Sequence, residues 1–271
     1  MNRLESAINV GVSAGDLLMD HYGKIYETRN KESLRDVVSE IDRLAEIRVI
    51  SRLQKFDPDC SILTEENGMI GQGSDRLWIV DALDGTVNYI HNLPFFCVSI
   101  SYWIDGEPRI GVIYNPYSGE LYYAERGTGS FVNQEKLSLE DAELESSITA
   151  MAFSGKAYNP AKRSREFEIF GRLNDISQGC LRTGSAAMNL GYLSHGKFSL
   201  ALGKANKLWD VAAGLLIAEE AGATIKYSVT NNQGYLIDYI AATPSSLQSA
   251  SSEMDLSYLD LQSERVNGIV I

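Results

Sequence analysis

Two aspartates three residues apart, Asp81 and Asp84, end an apolar run in WIVDALDGTVN, with Gly85 and Thr86 directly behind them. Trp78-Ile79-Val80 reads as a buried strand, so both carboxylates arrive where the chain leaves a sheet. Carboxylates at the edge of a core cost free energy unless a positive charge meets them. In a tight turn this spacing lets the two side chains converge with the Leu83 carbonyl between them. Two carboxylates and a carbonyl make an all-oxygen donor set, suited to Mg2+ or Mn2+ rather than zinc. Gly85 and Thr86 add backbone N–H groups and a hydroxyl, which suit a phosphate oxygen. A solvated Asp-x-x-Asp-Gly turn is the competing reading of the motif taken alone.

Other residues are compatible with the same chemistry. Glu65 and Glu66 follow a short strand in LTEENG. Adjacent side chains of an extended chain point opposite ways, so one at most faces a site, and a surface pair is the alternative. Asp210 stands at a helix start in KLWDVAAGLLIAEEAG, where it serves as a cap as readily as a ligand. Ala212, Ala213 and Gly214 behind it suit close packing. Gly184-Ser185 in RTGSAAMNLG marks a strand-to-helix turn whose N–H groups can face polar ligand groups. Asp42 follows Ser39 by three residues, the spacing of a capping box with Asp in place of Glu.

The elements that must hold these residues follow from periodicity. Leu4, Ala7, Ile8, Ala14, Leu17 and Leu18 give a first helix, and ETRNKESLRD a polar loop. A second helix starts near Val37 and carries Ile41, Leu44, Ala45, Val49 and Leu53 at spacings of three and four. After a turn at Asp57-Pro58 and the opening motif, an antiparallel meander runs through Phe96–Trp103, Arg109–Tyr114, Leu121–Glu125 and a short strand in RGTGSFVN. No parallel βαβ unit is expected here, which makes residues 1–140 an α+β domain. The acidic stretch KLSLEDAELESS marks a boundary. Residues 141–271 alternate strand and helix through SITAMAF, PAKRSREFEIFGRL, ISQGCLRTG, SAAMNLGYLSHG, KFSLAL and DVAAGLLIAEEAGA, as an α/β domain does. The tail from SSLQSASSEMD onward is expected to be partly irregular.

Composition narrows the function classes. A net charge of −12 with no basic cluster argues against a duplex nucleic-acid partner. It also means that an anionic ester needs local cations, and metal ions are the natural ones. Cys60, Cys97 and Cys180 fit neither a zinc pattern nor a disulfide framework, so reduced thiols and a cytoplasmic setting are expected. No apolar run approaches a membrane span, and no signal-peptide core is seen.

LTEEN, WIVDALDGTVNYIHNLPFFCVSI and LWDVAAGLLIAEEAGA, in this order, resemble the inositol monophosphatase family. The linking segments DVVSEID, GVIYNPYSGELYYAERGTGSFVN and RTGSAAMNLGYLSHG match as well, and the resemblance covers about residues 4 to 245. It implies a layered α-β-α-β-α sandwich, a homodimer, and Mg2+-dependent hydrolysis of a small phosphate monoester by a metal-activated water. The implied metal ligands are Glu65, Asp81, the Leu83 carbonyl, Asp84 and Asp210, holding two or three ions. Gly85 and Thr86 would bind the phosphate, and Gly184, Ser185 and Ala186 would line the alcohol side, with Asp84 and Asp210 also meeting the substrate. Glu65 and Thr86 would hold the attacking water, with Asp42 behind them. Candidate substrates are inositol, sugar or cyclitol phosphates. The same fold also hosts 3′-nucleotidase, fructose-1,6-bisphosphatase and histidinol-phosphatase activities, and a non-catalytic binding role is the further alternative. Two positions depart from the family pattern. Ala82 stands where the signature has proline, which removes a fixed φ and is expected to loosen the turn. Gly203 stands where inositol-specific members carry a ring-binding glutamate. Lys204 and Lys207 beside it suit a second negative charge on the substrate, or a solvated loop.

Overall fold

The computed structural model describes residues 2–24, 34–71, 75–154, 160–230, 235–259 and 261. Helix α1 (Arg3–His21) opens on Asn2. The Asn2 side chain accepts the Glu5 amide at 2.8 Å, and the Glu5 carboxylate accepts the Asn2 amide at 3.0 Å. This capping box satisfies N–H groups that a helix start leaves unpaired. Helix α2 (Leu34–Phe56) begins five residues before Ser39, so Ser39 and Asp42 lie inside it and form no cap. Leu34 and Arg35 are good helix formers, and the helix continues through polar sequence that reads as loop. The earlier part of that expected loop, up to residue 33, lies outside the described residues.

The first sheet contains β1 (Ser61–Thr64), β2 (Gly68–Ile70), β3 (Arg76–Asp84), β4 (Cys97–Ile104), β5 (Glu107–Asn115), β6 (Glu120–Glu125), β7 (Gly129–Val132) and β8 (Glu135–Lys136). Their order is β2-β1-β3-β4-β5-β6-β7-β8. The meander from β3 to β8 is antiparallel, as the turn signals require. This half holds one parallel pair among the described residues, although it is not a βαβ unit. The β1–β2 hairpin reverses the chain, and β3 then returns parallel to β1, with Ile62 opposite Trp78.

The second sheet is built from β9 (Ile148–Ala152), β10 (Gly179–Leu181), β11 (Leu200–Lys207), β12 (Thr224–Thr230) and β13 (Leu236–Ala242), in the order β10-β9-β11-β13-β12. β10, β9 and β11 are parallel, and β13 runs antiparallel to both its neighbours. Helices α4 (Pro160–Ile176), α5 (Ala186–Ser194), α6 (Leu208–Ala221) and α7 (Pro244–Glu253) complete this half, and α3 (Thr86–Ile90) is a short helix after β3. β12 and β13 are not anticipated by the sequence pattern. Nor is α7, which opens the tail expected to be irregular. Thr243 caps it by accepting the Ser246 amide at 3.4 Å, and Pro244 takes the first helical position, where a missing N–H costs nothing.

The layers are α1 and α2, the first sheet, α5 and α6, the second sheet, then α4 and α7. This is the expected α-β-α-β-α sandwich. β3 shows why its sequence is apolar without alternation. Trp78 and Val80 pack in the cluster shared with α1 and α2, while Leu77 and Ile79 pack in the cluster shared with α5 and α6. α6 is buried on nearly every side, as a helix between two sheets must be. Its small residues let it approach closely. A Cβ on Gly111 of β5 would lie 2.5 Å from the Ala213 carbonyl oxygen, and one on Gly214 would lie 2.5 Å from Leu190 Cβ of α5. Among the described residues, no helix is long and apolar enough to cross a membrane.

Candidate active site

The end of β3 is shaped by its own side chains. Between Asp81 and Asp84 the strand bulges away from β4. Asp81 Oδ1 accepts the Leu83 amide at 2.9 Å, and the Thr86 hydroxyl donates to the Leu83 carbonyl at 3.1 Å. These two bonds hold the turn around the buried Ala82. Gly85 follows at φ +92°, and a Cβ there would meet the Phe95 carbonyl at 2.9 Å, so no other residue fits. α3 starts immediately afterwards, with the amides of its first turn free of helix acceptors.

Acids from four segments meet at this turn. Carboxylate oxygens of Glu65, Asp81 and Asp210 lie within 4.8 Å of one another. Glu65 follows β1 and is the exposed member. The loop carrying it is fixed from below by Glu46 of α2, which is 1% exposed and accepts the Glu66 and Asn67 amides, each at 3.1 Å. Asp210 is the third residue of α6, where its carboxylate also accepts the Lys207 amide. Asp84 Oδ2 receives the Ser185 hydroxyl, the Ala187 amide at 2.9 Å and the Cys97 thiol at 3.8 Å. Asp42 projects from α2 and is 5% exposed.

So many carboxylates in one place raise each other. Burial, then repulsion from Glu65, lifts Asp42 to about 8. Burial, then Glu66 and Asp84, lifts Glu65 to about 7. Asp84 rises through burial to about 6, opposed by the Ser185 hydroxyl and the Ala187 and Ala186 amides. Asp81 is held well above the carboxylate range by burial and by Glu65, and Asp210 by burial and by Asp84. Lys207 offsets a small part of this at Glu65 and Asp210. Converging oxygen donors of like charge fit a hard divalent cation, which would relieve the repulsion without protonation.

The opposite wall comes from the second half of the chain. Ser185 caps α5, accepting the Met188 amide at 3.2 Å, so its one hydroxyl serves both the helix and Asp84. Gly184 before it sits at φ +92°, 3.0 Å from the Asn88 side chain when a Cβ is added. Asn88 of α3 clamps the two walls together by donating to the Phe95 carbonyl at 2.7 Å and the Thr183 carbonyl at 2.9 Å. A cavity of about 150 Å³ opens between the walls, lined by Asp84, Gly184, Ser185, Ala186, Asn206 and Asp210 among others.

The candidate residues named from the sequence therefore gather in one place. Glu65, Asp81 and Asp210 share the acid cluster, Asp42 acts on it electrostatically, and Asp84, Gly184, Ser185, Ala186 and Asp210 line the cavity. Leu83, Gly85 and Thr86 form the connecting turn. Glu46, Asn88, Cys97 and Asn206 join the site without being candidates from the sequence. Asn88 and Cys97 lie inside a quoted motif, while Glu46 and Asn206 act through contacts that local sequence does not show. Lys204 already has an anionic partner. Its ammonium is held by Asp238 Oδ2 at 2.6 Å.

The family model described as "Inositol monophosphatase family" matches residues 2–256. The chain is 37% identical over 231 residues to a protein of Thermotoga maritima called fructose-1,6-bisphosphatase/inositol-1-monophosphatase, covering 83% of this chain and 84% of that one. It is 36% identical over 230 residues to the Nus factor SuhB of Xylella fastidiosa, covering 81% of each. The solved inositol monophosphatase of Anabaena (Nostoc) superposes with a TM-score of 0.78 at 30% identity, over 94% of this chain and 97% of that one. With its acid cluster, turn and layers accounted for, the chain belongs to the inositol monophosphatase family and is a phosphoric monoester hydrolase.

Proposed function

We propose that the protein hydrolyses a small phosphate monoester of an inositol, sugar or cyclitol, with Mg2+ as its cofactor. The observation that carries this reading is the placement of the Glu65, Asp81 and Asp210 carboxylates within 4.8 Å at the end of the strand that leads into the Gly85-Thr86 turn. Glu65, Asp81, the Leu83 carbonyl, Asp84 and Asp210 would hold two or three ions, with Mn2+ as a substitute. When bound, such ions lower the pKa of a water and neutralise charge on the transferred phosphoryl group. The chain's own groups do the rest. The Gly85 and Thr86 amides bind phosphate oxygens at the start of α3. Glu65 and Thr86 orient the attacking water. Asp42 stands behind them and is itself raised by burial and by Glu65. Asp84 and Asp210 hold the water that protonates the departing alkoxide, and Gly184, Ser185 and Ala186 face the alcohol. The halves 1–140 and 141–271 each supply part of this set, so we infer one site built from both. A cytoplasmic homodimer is inferred with it, supported by the family and by three buried free thiols.

The relative from Thermotoga maritima also carries the name fructose-1,6-bisphosphatase, which makes a bisphosphate the second substrate reading. A phosphate-release screen over inositol 1-phosphate, fructose 1,6-bisphosphate and a nucleotide 3′-phosphate separates the two. Asp84→Asn and Asp210→Asn are expected to abolish Mg2+-dependent release while circular dichroism stays native. Full activity in either variant, or full wild-type activity in excess EDTA, would refute the metal-dependent reading.

A further inference from the structure

Asn206 takes no part in the phosphate chemistry, yet the fold goes to some length to place it. It lies near the end of β11, where the strand bulges between Gly203 and Asn206 against β13. Ala205 adopts φ +50° in this bulge, a conformation alanine seldom takes. Asp238 of β13 staples it with both oxygens, taking the Ala205 amide at 2.8 Å on one and the Lys204 ammonium at 2.6 Å on the other. The outcome is that Asn206 is only 8% exposed and borders the cavity beside Asp84, Ser185 and Asp210. Its amide oxygen is buried without a hydrogen-bond partner among the described residues. Gly203 makes room for it, because a Cβ there would overlap that oxygen.

A buried amide oxygen left unpaired is destabilising, and a strained, stapled bulge that maintains one calls for a compensating partner. Among the described residues none supplies that partner, and the cavity that Asn206 borders is the route by which one could enter. A neutral amide pairs with a hydroxyl group and has no charge to offer an anion. We propose that Asn206 is a specificity-determining residue that reads a hydroxyl of the substrate's alcohol portion. It would favour esters of polyhydroxylated alcohols over esters with no hydroxyl near the phosphate. This inference rests on the phosphatase reading above and deepens it.

The test compares wild type with Asn206→Ala on three probes in saturating Mg2+. These are myo-inositol 1-phosphate, glycerol 2-phosphate and phenyl phosphate, the last having no hydroxyl to read. Loss of one neutral hydrogen bond should raise KM for the two polyol esters about fivefold, with kcat, the phenyl phosphate KM and the inhibition constant of inorganic phosphate all changed less than about twofold. Gly203→Ala, which drives the amide out of its place, should reproduce this split, and the double variant should be no worse than either single one. Circular dichroism and melting of each variant guard against a folding defect. An equal KM rise on phenyl phosphate, a kcat loss on all three probes, or unchanged polyol KM values would overturn the proposal. A wild type inactive on all three overturns the phosphatase reading, and this proposal with it.

Discussion

Ser185→Ala tests whether one hydroxyl carries both a helix cap and the orientation of Asp84. The hydroxyl accepts the Met188 amide and donates to Asp84 Oδ2. Losing the cap costs about 1 kcal/mol. Losing a hydrogen bond to a buried carboxylate costs about 2 kcal/mol more. The metal-free variant should therefore be about 3 kcal/mol less stable at pH 8, a sizeable part of the 5–15 kcal/mol typical of a domain. The sign of the pH dependence is fixed by the same geometry. Ser185 favours the charged form of Asp84, which titrates at about 6. Below that pH the bond is to a neutral carboxyl, and the penalty should fall to about 2 kcal/mol. Urea unfolding in EDTA at pH 5 and pH 8 measures both values, with an unchanged m required for the comparison. Ser185→Thr keeps the hydroxyl and should lose little. Freed from its donor, Asp84 should also bind Mg2+ about tenfold more weakly, read by titration calorimetry. A variant within ~0.5 kcal/mol of wild type at pH 8 would refute the dual role, since that is less than the cap alone is worth.

Two further outcomes follow from the site. Asp42, Glu65 and Asp84 are raised to about 8, 7 and 6, so protonation stabilises the fold, and the metal-free protein should lose stability as pH rises from about 4 through those values. Melting in EDTA should be lower at pH 8 than at pH 5, and Mg2+ should raise it more at pH 8; a melting temperature that climbs from pH 5 to pH 8 without metal contradicts the cluster's electrostatics. Asn88→Ala strips the donor from the Phe95 and Thr183 carbonyls, and should cost about 2 kcal/mol in denaturant unfolding and reduce phosphate release by loosening the two walls.

The parts of the site legible in the sequence are those whose geometry is local. Asp81, Leu83, Asp84, Gly85 and Thr86 sit within one turn, and the bonds that shape it join residues two and three apart. Glu65 and Asp210 look like a surface acid and a helix cap when read alone, and only their likeness to a family pattern joined them. Glu46 and Asn206 escaped because each is defined by what it faces, across 20 residues of sequence for Glu46 and across a bulge for Asn206. The same holds for the fold. The β3-to-β8 meander announces itself through tight turns, but the parallel pairing of β1 with β3 is set by a long-range choice of neighbour. The start of α2 was misplaced because a capping-box spacing occurs inside it, where the backbone amides already have helical partners.

The sealing of α6 between two sheets bears on how the acid cluster opens and closes. Asp210 begins the element with the most enclosed surroundings, whose amides beyond the first turn should exchange hydrogen with solvent almost only through global unfolding. Glu65 stands on an exposed loop after a four-residue strand, held from below by Glu46 but open to solvent above. The cluster thus has a buried jaw in α6 and a solvent-facing one at Glu65. On the metal-dependent reading proposed above, an ion would enter or leave past the exposed Glu65 side chain while α6 keeps the register of the site.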